Sequence, residues 1–324
     1  MRIIWFAALF AVGASPAGSR SDRVNLFPKL HAGQTLSYEV TYQSEKQTET
    51  RSSVFLAEPP PNANVEAHAL LRLEVLDVQA QGERNTIHAR ARFASPDPGA
   101  KARKSNGDSR YDAAPQENPE DPSIEFTILP DGRVDQVKGL DALLPEQQQA
   151  WQEWVSRFAA AAVFPENGVK IAQKWKTEEP EKSPSPIREL SWIRESTYVR
   201  NEPCRTAEAT AAGGPAEPDQ QIPETCAVIL TVAALKQRSS PNDATPEDFK
   251  LHQLHTTGTA RGTNKTITYI SLTTRLVVRA TEEAGQSMEV TIAKADGSNR
   301  VHYDISAKSR SEILLVAETP RRHP

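Results

Sequence analysis

His252 and His255 are spaced as H-x-x-H, a pattern that could offer two imidazoles to a metal. The surrounding residues read as a strand, where positions three apart point to opposite faces. The spacing therefore predicts surface or loop histidines and no metal site. His68, His88 and His302 alternate with apolar neighbours and are expected on solvated faces. The pairs Glu178-Glu179 and Glu282-Glu283 could supply an acid and a base. That work needs environments that split two carboxyl pKa values. Both pairs fall in polar connectors or at strand ends, so solvated carboxylates are expected. Asn264-Lys265-Thr266 matches a glycosylation sequon, a short and common pattern.

The motifs of nucleophilic, zinc-dependent and phosphoryl chemistry are missing. The chain has no G-x-S-x-G elbow, no H-E-x-x-H helix and no P-loop. Its only cysteines are Cys204 and Cys226. In an oxidising compartment such a pair forms a disulfide, and no thiol nucleophile remains. Two cysteines alone cannot build a four-ligand zinc site. No cofactor is expected, and the sequence assigns no catalytic residue.

Aromatic residues give the one remaining candidate. Trp151, Trp154, Val155, Phe158 and Ala162 form an apolar stripe at helical spacing. Pro145 suits a first helical position, and Pro165 cannot continue the helix. An amphipathic helix is expected between Leu140 and Pro165. Trp151, Trp154 and Phe158 either line a ligand groove or pack the helix onto its support, and the spacing favours packing.

That support reads as β structure. Leu36, Tyr38, Val40 and Tyr42 alternate with polar residues, and a partner strand is expected near Thr48 to Ala57. Ala69–Val78 with Arg84–Phe93, and Ile124–Leu129 with Val134–Val137, read as hairpins. The second of these turns at Pro130-Asp131-Gly132. Gly168 to Trp175 reads as extended, and Glu178 to Pro186 as a connector. Glu189–Arg200 and Cys226–Lys236 read as strands. Five more follow at meander spacing: Leu251–Thr259, Thr266–Leu272, Leu276–Thr281, Met288–Lys294 and Val301–Ala307. Ile313–Val316 closes the series. Across the Asp296-Gly297 turn, Met288, Val290 and Ile292 should face Val301, Tyr303 and Ile305. The expected class is mainly β (α+β), with large curved antiparallel sheet or sheets and one amphipathic helix packed on the β body.

Met1-Arg2, an apolar run from Ile3 to Ala14 and small residues at Ser15 and Ala17 read as a secretory signal peptide over 1–17. The run is too short to span a bilayer, and no later stretch is apolar enough to do so. Residues 18–320 then form one exported domain, or two β sub-lobes meeting near 178–187. Segments 95–122, 207–224 and 239–247 read as disordered insertions. The 324 residues carry 25% charged side chains and a formal net charge of −4, without a basic patch, which argues against nucleic acid as a partner.

Several segments together carry a resemblance. They are Ile128 through Val134, Trp151 through Phe164, Trp175-Lys176-Thr177, Ser185 through Trp192, Ser196-Thr197-Tyr198 and Asn201 through Cys204. The chain resembles a group of uncharacterised exported proteins from acidobacteria and related soil bacteria. The resemblance implies an exported β-rich protein and supplies no catalytic residues. That group usually has Gly in the late strand turn, where this chain has Thr274-Arg275. The functional expectation is a non-enzymatic binding or scaffold protein of the envelope, periplasmic or extracellular. Its partner would be an apolar small molecule or another envelope protein. The alternative is an exported hydrolase-like enzyme whose site is dispersed over distant strands.

Overall fold

The computed structural model describes residues 23–52, 63–81, 84–94, 123–130, 133–142, 164–181, 184–204 and 224–319. Its strands are β1 (Thr35–Ser52), β2 (Ala63–Gln81), β3 (Arg84–Ala94), β4 (Ser123–Ile128), β5 (Val134–Lys138), β6 (Lys174–Pro180), β7 (Leu190–Pro203), β8 (Thr225–Gln237), β9 (Leu254–Ser271), β10 (Val277–Lys294) and β11 (Val301–Thr319). All eleven belong to one open antiparallel sheet in the order β5-β4-β3-β2-β1-β11-β10-β9-β8-β7-β6. The first and last strands thus pair at the middle, and two meanders run outward from them. Residues 178–187 lead from the outermost strand, β6, into β7.

The hairpins stand where turn chemistry placed them. β2 pairs with β3 and β4 with β5. Met288, Val290 and Ile292 pair with Ile305, Tyr303 and Val301, the expected register around Asp296-Gly297.

The longest strands differ from expectation in one consistent way. Thr48 does not begin a partner of β1: β1 runs unbroken through it and pairs with β11 and β2. The two short strands expected in each of 251–272, 276–294 and 301–316 likewise fuse into β9, β10 and β11. No strong turn signal separates the halves of β1, and the period-two alternation continues through a polar middle. Leu251 belongs instead to the short helix α1 (Glu247–Leu251) and is 81% exposed. Glu178 to Pro180 extend β6 rather than starting a connector. Residues 166–172 form turns, with Ala172 at φ +65°.

The late turn keeps its left-handed position without glycine. Arg275 has φ +61°. Its N–H bonds Ser271 O at 2.9 Å, while Ser271 Oγ accepts the N–H groups of Thr273 and Thr274. These bonds hold a conformation that arginine alone disfavours.

Segment 239–247, expected as a disordered insertion, is packed. Ala244 and Thr245 are buried, and Gly258 N–H bonds Pro241 O at 2.8 Å. The Gln237 amide takes the place of a missing strand neighbour. Its Oε1 accepts Ala260 N–H at 3.0 Å, and its Nε2 donates to Gly258 O at 3.1 Å. The loop satisfies the part of β9 that β8 does not reach, so the backbone polar groups there are paired.

The chain before β1 has no regular structure but contributes to the core. Leu26, Phe27 and Leu30 are buried, and Leu26 and Leu30 join the main apolar cluster with Leu36 and Tyr38. At one end, Val24 bridges Val169. At the other, Gly33 N–H donates to Val75 O on β2, and Val75 N–H to Gln34 O.

Cys204 and Cys226 form the expected disulfide, with Cα atoms 5.0 Å apart. It closes the β7–β8 hairpin beside Cys204 N–H bonding Glu224 O at 2.7 Å. Such a bond fits an oxidising compartment. Among the described residues no helix is long and apolar enough to cross a membrane. The expected signal peptide, the insertions at 95–122 and 207–223, and the helix with Trp151, Trp154 and Phe158 lie outside the described residues.

Candidate functional site on the inner face

Alternation divides the sheet into two unlike faces. The outer face is charged and solvated. Arg90 pairs with Glu125, Arg279 with Glu312, His68 with Glu39, and Lys174 and Lys176 with Glu195. The two lysines hold the Glu195 carboxyl below the usual carboxylate range. These exposed pairs contribute little to stability individually.

Glu178 lies on the same outer face. It accepts Ser191 Oγ–H at 2.7 Å and Arg238 Nε–H at 3.2 Å. The Ser191 hydrogen bond first, and then the bond from Arg238, lower its pKa. A lowered folded pKa gives stability that is present above the unfolded value of about 4.3 and lost as pH falls through the folded one. Glu178→Gln should therefore flatten part of the acid limb of the stability profile, read as urea midpoints from about pH 6 to about pH 2. An unchanged acid limb would remove Glu178 from that linkage.

The inner face carries the core. One apolar row runs through Val40, Ile313, Ala280, Ile229 and Tyr198, with Thr268 between Ala280 and Ile229. All are buried. Burial raises the Tyr198 phenol pKa, opposed by its bond to Asn201. Leu71, Leu73, Ile87, Ile124 and Phe126 extend this cluster across β2, β3 and β4. Phe164 and Trp175 join it, with ring centroids 5.8 Å apart.

The next row is polar. Tyr42, Ser311, Glu282, Thr266, Thr231, Ser196 and Trp175 are successive register partners on seven neighbouring strands. The first six are all buried, and Glu282 is only 7% exposed. Ser196 Oγ and Thr231 Oγ1 are hydrogen-bonded at 2.9 Å. Thr266 Oγ1 lies 3.1 Å from Glu282 Oε2 and 3.0 Å from Asn264 Oδ1. A hydroxyl has one proton, and the carboxylate, which can only accept, takes it; the Asn264 amide is then best oriented with its nitrogen toward Thr266.

Beyond this belt the face becomes small and partly open. Ala284, Ser309 and Ser44 are half-buried, and Gln286 is exposed. Gly262 sits under Trp192, whose Nε1–H donates to Glu181 at 2.7 Å. A Cβ at Gly262 would lie 2.9 Å from Trp192 Cη2 and 3.1 Å from Leu235 Cβ. Gly262→Ala should overpack this place and cost about 1–3 kcal/mol. Urea unfolding should show a lower midpoint at unchanged slope. A second apolar cluster follows, with Ile187, Ala244, Ala260 and Val290 at its centre and half-buried Leu235, Met288, Ile292 and Tyr303 around them.

The sequence-chosen residues do not converge. His252 Nδ1–H donates to Asp248 O at 2.7 Å on α1, while His255 is 3.1 Å from Thr245 Oγ1 on β9. His88 and His302 each sit beside a threonine, Thr127 and Thr291. Among the described residues no group of three or more His, Cys, Asp or Glu could hold a metal ion. Glu282 is the correction: it was expected to be solvated, but it points inward from the middle of a long strand. Glu283, its neighbour on the other face, is exposed. Continuing the parity from Ala280 through Ala284 to Met288 would have revealed this.

No family model matches the chain, and no curated protein matches it.

Proposed function

We propose that this is a non-enzymatic exported protein of the bacterial envelope that holds an apolar or amphiphilic small molecule against the inner face of its sheet. The observation that carries the reading is the inner face itself. It presents a packed apolar cluster, a polar belt and then a second cluster whose rim of Leu235, Met288, Ile292 and Tyr303 is only half-buried. Binding sites for small molecules combine such apolar walls with a few polar groups.

A concave inner face would suit such a ligand. Segment 24–33 is tied to β2 at one end. At the other it meets Val169, close to where Ala172 and Gln173 bond Tyr198 of β7. β2 and β7 are six places apart, which in a flat sheet is about 29 Å. Nine residues reach about 32 Å only when fully extended. Asn25 Oδ1 accepts Phe27 N–H in a local turn, and Leu26, Phe27 and Leu30 all bury their side chains. A chain so folded falls short of its full reach, which favours curvature.

Leu140 and Phe164, which flank the amphipathic stretch of the sequence, both pack with the main cluster. The leader-like residues 1–17 and the disulfide support export, as does the resemblance to exported β-rich proteins.

The test is to purify the exported protein from its native envelope, extract it with organic solvent and identify small molecules by mass spectrometry. A stoichiometric lipid or other amphiphile is the expected result. A clean protein without one would overturn the reading.

A further inference from the structure

β6 (Lys174–Pro180) ends the sheet, and among the described residues its strand neighbour is β7 alone. Glu181 N–H donates to Leu190 O at 2.9 Å, and Gln173 O accepts Tyr198 N–H at 3.1 Å. The register between these points is unbroken, so the odd-numbered residues turn their backbone groups to β7. Lys174, Lys176, Glu178 and Pro180 turn theirs the other way. Pro180, which has no N–H, thus stands where β7 needs no donor. We propose that two copies of this protein join antiparallel along β6, on a two-fold axis at Thr177, so that one sheet continues into the other.

Charge complementarity carries it. Lys174 and Lys176 lie in the first half of β6, Glu178 and Glu179 in the second. About Thr177, Lys176 of each copy stands opposite Glu178 of the other, so the same contact is made twice. These two residues then exchange backbone hydrogen bonds, and Lys174 N–H meets Pro180 O. Lys176 and Glu178 point to the same solvated face, with side chains 70% and 40% exposed. Their bonds within one copy, to Glu195 and to Ser191 and Arg238, are kept, because an ammonium has three donors and a carboxylate about four acceptor positions. Edge lysines ordinarily repel a stray strand. Here they repel a basic strand and match a second β6, which makes the pairing selective. β5, at the other edge, is blunted: its ladder shifts between Glu125 and Thr127, and Gln136 has φ +52°. The inference does not depend on the binding reading above.

Sedimentation equilibrium of the exported protein from about 5 to about 200 µM should show reversible dimerisation, the affinity class of a small interface. Lys176→Glu sets like charges opposite each other at both symmetric positions and should weaken the dimer at least about tenfold. Glu178→Lys should do the same. An equimolar mixture of the two variants should regain the dimer, because each substitution then faces its opposite charge. Lys176→Pro removes an N–H directed away from β7 and should abolish the dimer while the fold is kept. Thr177→Cys should give a disulfide-linked dimer on air oxidation, since a non-hydrogen-bonded pair sets Cα atoms about 4.5 Å apart. Lys174→Cys, about 20 Å from its counterpart, should not. The wild-type series and the Thr177→Cys link stand even if Glu178→Lys folds poorly. A wild type that stays monomeric to about 200 µM would overturn the inference. So would a Lys176→Glu protein that dimerises as tightly as wild type, or a dimer that Thr177→Cys does not link.

Discussion

Leu26→Ala should cost about 2–5 kcal/mol of folding free energy. Leu26 is 1% exposed, in a segment with no regular secondary structure. Ordinarily such a segment would run over the surface, because irregular backbone leaves polar groups to satisfy. Here those groups are partly paired: Val24 with Val169, and residues Gly33 and Gln34 with Val75. The side chains can then enter the main cluster beside Leu36 and Tyr38. Truncation to alanine would leave a cavity between the segment and the sheet, and collapse is limited because both ends are held. The measurement is urea unfolding of the variant against wild type. Leu251→Ala is the control: Leu251 is 81% exposed and should change stability by no more than about 0.5 kcal/mol. If the two variants behaved alike, 23–31 would not be part of the core.

Replacing both cysteines, Cys204→Ser with Cys226→Ser, should cost about 3 kcal/mol. The two are 22 residues apart in sequence, and the bond removes the closure entropy of that loop from the unfolded chain. The loss should appear as a lower unfolding midpoint. Cys226 is fully buried, so each serine must also be accommodated, and the double variant avoids leaving one free thiol. Alkylation of the unfolded but unreduced wild type should label no thiol. Two labelled cysteines would refute the bond, and an unchanged midpoint in the double variant would show that it does not stabilise the fold.

The fold's local parts were legible because each rests on short-range chemistry. Asp296-Gly297 predicts a hairpin by itself, and the register of Met288, Val290 and Ile292 follows from it. What sequence reading broke apart was strand length. β9, β10 and β11 each carry a polar stretch in the middle, and such stretches resemble connections between shorter strands. In Tyr42, Glu282 and Ser311 the alternation never stops; only the hydrophobicity does. The misreading and the missed site therefore have one cause. Two of the polar residues that disguised the long strands, Glu282 and Ser311, belong to the belt.

Composition, turn residues and the cysteine pair determined an antiparallel β protein with one disulfide. Those features act within a few residues or through a unique pairing, so they needed no fold. Tertiary structure alone decided that β1 and β11 meet at the centre, that Leu26 and Leu30 enter the core without a secondary-structure pattern, and that Glu282 is buried. The physical reason is range. A row across a sheet joins residues as far apart in sequence as Tyr42 and Ser311, and no local period records which of them will share a face or what will cover it.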